Sequence, residues 1–80
     1  MLNTNLENEV VHTIVAEVLN KSVDDIDLNT KIINYGIDSI QVLDIIGRIR
    51  RYYELNDFRV DLANMTIAEL DEKIINILSL

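Results

Sequence analysis

The sequence predicts an all-α domain, a small bundle of helices joined by long and uneven connections. Three observations carry that prediction. Apolar residues recur at three- and four-residue intervals in three separate stretches, the spacing that lines one face of a helix. Each stretch opens on a residue pair that fits a capping box, in which two side chains satisfy free N–H groups at the helix start. Proline is absent and glycine occurs only at Gly36 and Gly47, too little turn punctuation for a strand-rich domain.

The first helix begins near Thr4, with Thr4 and Glu7 as its capping box. Val10, Val11, Ile14 and Val18 follow at helical spacing, and Asn20 and Lys21 close it. A long connection runs from about Ser22 to Ile37. Structureless loops of that length are uncommon in compact domains and are often functional. Val23, Ile26, Leu28, Ile32, Ile33 and Tyr35 are the residues expected to pin it to the core, with short helical turns inside it. A packed connector and a partner-binding loop both fit this pattern. The second helix starts at Asp38, with Gln41 as the reciprocal capping residue, and runs to about Tyr53. Gly36 supplies the sharp turn into it, because glycine enters positive φ without steric cost. Ile37 and Val42 are placed as a hydrophobic staple. From Leu55 to Asn64, Phe58, Val60 and Leu62 alternate with polar residues, which fits a strand-like stretch or one helical turn. Thr66 and Glu69 cap the last helix, with Met65 and Leu70 as its staple, and Ile67, Leu70, Ile74, Ile77 and Leu78 form its apolar stripe.

Composition bounds what such a chain does. Eighty residues make one domain, residues 1–80. A chain of this size buries only about 60% of its unfolded surface, which leaves little room for an enclosed active site. There is no cysteine, so any thiol chemistry must be brought in from outside. The net charge of −7 repels phosphate backbones and argues against nucleic acid, favouring basic partner proteins. No apolar run approaches the roughly 18 residues of a membrane span. The start of the chain lacks the basic and apolar segments of a signal peptide, so a cytoplasmic protein is expected. The initial methionine favours a free-standing protein, and nothing indicates homo-oligomerisation. No metal-ligand spacing, paired nucleophile and base, or glycine-rich phosphate loop is present, which argues against an enzyme.

The second helix holds the chemically interesting residues. At about 100° per residue, Val42, Ile45, Ile46, Ile49 and Tyr53 share one side, and Asp44, Arg48 and Arg51 lie opposite. Ile40 falls among the charged residues, not on the core stripe, and Gly47 beside it makes a flat spot. Ser39 lies in the first turn. A helix N-terminus carries free N–H groups and about half a positive charge, which suits a phosphate. An Asp-Ser pair is also a common helix start. His12, on the polar side of the first helix, reads as a solvated residue.

The segment Gly36-Ile37-Asp38-Ser39-Ile40 resembles the attachment motif of acyl, peptidyl and aryl carrier proteins, Gly-x-Asp-Ser followed by Leu or Ile. The likeness extends over nearly the whole chain. It takes in the first helix, the long loop with Asp24-Asp25-Ile26-Asp27, the mid-chain motif, and Phe58, Leu62 and Asn64-Met65-Thr66-Ile67 before the last helix. The resemblance implies a four-helix bundle with a short third helix near Asp61 to Asn64. It implies that Ser39 receives 4′-phosphopantetheine from coenzyme A through a phosphopantetheinyl transferase. The arm would then carry acyl, aminoacyl or aryl groups as thioesters to loading and condensing enzymes. Asp38 matches the acid that helps the transferase engage, and Ile40 the apolar residue that docks partners. Catalytic groups would belong to the partners.

The second helix departs from the fatty-acid type, which usually carries a run of acids and often a methionine where Gly47 stands. Here Arg48, Arg50 and Arg51 stand against Asp44 alone. A basic helix end complements the macrodipole and also changes which partners approach. Asp-Ser-Ile followed by such an end is similar to carriers of nonribosomal peptide synthesis. The expected role lies there or in polyketide-type biosynthesis, with a fatty-acid carrier or an unmodified helical interaction module as the alternatives. Asp38, Ile40, Asp44, Gly47, Arg48 and Arg51 are the expected partner-binding residues.

Overall fold

The first helix stops where Asn20 turns into the left-handed region at φ 58°, and the Lys21 N–H donates back to the Ala16 carbonyl. The computed structural model describes residues 5–79, with side chains from residue 10 onward. In that range α1 spans Asn5–Leu19, α2 Ser39–Tyr53 and α3 Ile67–Leu78. The capping box expected from Thr4 and Glu7 lies outside the described residues. The order of elements and their all-α character follow the sequence reading. The short third helix does not form as an α-helix: Leu62–Asn64 is a single 3-10 turn. Only Leu62 of that turn is buried, and a lone anchor supports no longer run of this strained geometry.

The helices meet around one core. Val11, Val15 and Ala16 of α1 face Ile45 and Ile49 of α2 and Ile67, Leu70 and Ile74 of α3, with Ile26, Ile32, Phe58 and Leu62 filling in from the connections. On α2, Val42, Ile46 and Tyr53 pack against this core, as the helical spacing predicts. The staple residues Ile37 and Met65 also pack against it. The stripe of α3 runs out at Leu78, which is exposed at the helix end.

The long connection packs against the core through Ile26, Leu28, Ile32 and Tyr35. It contains two 3-10 turns, Val23–Asp25 and Ile32–Tyr35. Ile26 and Ile32 are buried, whereas Val23 and Ile33 are exposed, contrary to the sequence expectation. A 3-10 turn holds three residues, so burying Ile32 turns its neighbour Ile33 outward. The backbone is tied down as well. Ile32 N–H donates to the Met65 carbonyl at 2.9 Å, and Ala68 N–H donates to the Leu28 carbonyl at 3.1 Å. Lys31 and Thr66 form an isolated antiparallel bridge. His12 also contributes: its Nε2 lies 2.8 Å from the Ile26 carbonyl oxygen, so it fastens the connector to α1 and is not simply solvated. Tyr35 closes the other side, its hydroxyl accepting from the Asp27 N–H at 2.8 Å. The radius of gyration, 11.8 Å, is that of a chain with its connections folded inward, since about 11.6 Å is expected for this length.

Candidate functional site

The site begins with Gly36. It ends the second 3-10 turn at φ 77° and ψ 29°, and a Cβ there would meet nothing within 4 Å. Backbone conformation, not space, therefore selects glycine. Two residues later Asp38 caps α2. Its Oδ1 accepts from the Gln41 N–H at 2.8 Å, and Gln41 Oε1 accepts from the Asp38 N–H at 3.0 Å. This reciprocal box fixes the direction in which α2 leaves the turn.

Ser39 is the first residue of α2 and is exposed. Helix geometry leaves its own N–H and that of Ile40 without an intrahelical acceptor. The capping box uses the N–H groups on either side of them, so those two remain next to the Ser39 hydroxyl. The chain's three serines differ in what their oxygens do. Ser22 Oγ accepts from the Asp24 N–H, and Ser79 Oγ donates to the Ile75 carbonyl. Ser39 Oγ makes no hydrogen bond among the described residues. A phosphate on that oxygen would meet two N–H donors and the positive end of the helix, and it would displace no existing bond. The residues present fit a phosphodiester.

Ile40 is 76% exposed, as its place among the charged residues predicts. Leu43 is 69% exposed and was missed by the sequence reading. It lies three residues beyond Ile40, so the two are neighbours on one outer strip. The spacing was visible; a leucine between core positions Val42 and Ile45 invites assignment to the core. Gly47 continues the strip, and a Cβ there would lie 3.5 Å from Arg51 Nη1.

The arginines are not one basic patch. Arg48 pairs with Asp44 at 2.9 Å along α2 and with Glu17 of α1 at 3.2 Å, so Asp44 is not the sole counter-charge. Arg50 turns to the helix end, donating from Nη2 to the Asn56 carbonyl at 2.8 Å and from Nε to that of Leu55 at 3.5 Å. Arg51 is exposed and makes no ion pair among the described residues. It lines, with Gly47, Arg50 and Leu55, an open groove of about 270 Å³.

The three-helix body thus presents an exposed serine hydroxyl at a capped helix start. The family model described as "phosphopantetheine attachment site" matches residues 9–72, and the chain belongs to that family. It is a phosphopantetheine-dependent carrier protein, of a family that bears 4′-phosphopantetheine covalently, is modified by phosphopantetheinyl transferases and interacts with biosynthetic enzymes. No match was found among curated proteins or among solved structures. Among the described residues, no helix is long and apolar enough to cross a membrane.

Proposed function

We propose that the whole chain, residues 1–80, works as one carrier unit and that Ser39 is its point of attachment. The observation that carries this reading is the contrast among the serines. Ser79 lies outside the matched segment, Ser22 is committed to a cap, and Ser39 alone offers an exposed, unbonded hydroxyl inside it. Asp38 and Gln41 hold the turn that presents this hydroxyl, and Ile40 and Leu43 supply apolar surface beside it. When attached, the arm supplies a terminal thiol on which acyl, aminoacyl or aryl groups are held as thioesters. Partner enzymes supply the catalysis.

The partner set proposed is that of nonribosomal peptide or polyketide-type biosynthesis rather than bulk fatty-acid synthesis. The support is the charge of α2. Its only acid after the cap, Asp44, is already paired with Arg48, so the helix offers little to a basic docking surface. A fatty-acid ketosynthase that used the loaded protein as readily as its own carrier would refute this assignment.

Attachment is tested by incubating the protein with coenzyme A and a broad-specificity phosphopantetheinyl transferase and measuring intact mass. One arm should add to the chain and none to Ser39→Ala. Ser39→Ala should unfold like the parent, because the hydroxyl it removes has no bond to lose. No gain in the parent refutes attachment and favours an unmodified interaction module, whereas an equal gain in both proteins refutes attachment at Ser39 and puts the arm on another residue.

A further inference from the structure

Positions 40, 43, 47 and 51 fall on one side of α2, because steps of three and four residues return to the same face of a helix. The strip therefore runs from exposed Ile40 and Leu43, across Gly47, to Arg51. The Arg51 guanidinium reaches back to Gly47, which is four residues from Leu43, about 6 Å along the axis. Two features of its far end have no explanation in the fold. Gly47 stands in mid-helix, where glycine is unfavourable, although a Cβ would make only ordinary contact with the end of the Arg51 side chain. Arg51 holds its guanidinium over that glycine without an acidic partner among the described residues, while Arg48 and Arg50 are committed within the molecule.

We propose that the Gly47–Arg51 notch receives a carboxylate side chain of a partner protein, whose neighbouring apolar surface lies on Ile40 and Leu43. This rests on the reading that α2 presents Ser39 to partner enzymes, and it adds the chemistry of the surface that α2 meets. The absent Cβ lets the partner's chain approach the helix closely. The guanidinium then offers a planar fork of donors, which matches a carboxylate. The chain's overall charge predicts basic partners, but the charge left without an ion pair on this strip, that of Arg51, is positive. An acidic partner residue about 6 Å from an apolar pair is thus the expected signature of an enzyme that docks here.

The test uses the full chain, labelled with ¹⁵N, and two synthetic helical peptides. Each peptide carries two leucines on one face and, about 6 Å away, either a glutamate or a lysine. The glutamate peptide should shift the amides of Leu43, Gly47 and Arg51 and bind about fivefold more tightly than the lysine peptide, the scale of one exposed ion pair. Arg51→Glu should invert that order, and Lys73→Ala, which removes an exposed cation of α3, should leave it unchanged. Equal affinity for the two peptides or no binding at the strip overturns the proposal. So do Arg51 shifts that inorganic phosphate alone reproduces. Loading of Ser39, followed by mass in the unsubstituted chain, reports on attachment separately. A chain that binds the glutamate peptide but never gains an arm keeps the notch and loses the attachment reading.

Discussion

Replacing Gly47 by alanine should make this protein more stable. Glycine inside a helix costs about 0.8–1.0 kcal/mol relative to alanine, because the unfolded chain has more conformations to lose. The gain is realised only if the new methyl group fits. At Gly47 it would lie 3.5 Å from Arg51 Nη1, an ordinary contact with the flexible end of an exposed side chain. No other heavy atom beyond the helix's own backbone and the adjacent residues comes within 4 Å of it. The expected gain is therefore about 0.5–1 kcal/mol. For a domain of this size that raises the melting temperature by about 2–8 °C. Circular dichroism at 222 nm reads the melting curve, and urea titration should move the midpoint without changing the slope. The same substitution should weaken the glutamate peptide described above, since the methyl group fills the approach over the notch. A protein that melts at or below the parent temperature would refute the reasoning and show that Gly47 serves the fold.

Other substitutions test the remaining parts. Asp38→Ala removes the Oδ1 acceptor for the Gln41 N–H and should cost about 1 kcal/mol in urea unfolding, whereas Asp38→Asn keeps a cap and should cost much less. In the loading assay Asp38→Asn should still be slower than the parent if the transferase reads the charge. Ile32→Ala empties a fully buried position and should cost about 2–5 kcal/mol, a large share of the roughly 4–12 kcal/mol that holds such a chain together; its urea midpoint checks this. His12→Ala deletes the tie to the Ile26 carbonyl, worth about 0.5–1.5 kcal/mol, and should speed hydrogen exchange in residues 23–28 with little effect on α3.

The helices and the capped turn that presents Ser39 were legible because their signals are local. Asp38 with Gln41, and Thr66 with Glu69, announce helix starts within four residues, and both boxes form with both bonds. Ile40 could be placed outward because its neighbours on the strip are charged. What stayed hidden depends on contacts distant in sequence. Nothing near Arg48 points to Glu17, which lies on another helix 31 positions away. The His12 bond to a carbonyl of the connector is equally non-local. The inward and outward alternation of Ile32 and Ile33 depends on a 3-10 turn that no periodic pattern reveals. The end of α2 was located despite lacking the usual glycine: Glu54 takes the left-handed position at φ 55°, a conformation that side chains other than glycine adopt at some cost.

The capping box has a consequence for how this protein is read by the enzymes it visits. Asp38 and Gln41 satisfy each other without Ser39, so every bond that starts α2 is present before anything is attached and survives after it is removed. On the proposed attachment at Ser39, gain or loss of the arm therefore breaks none of the bonds that start α2. The cap that presents the arm is built without it.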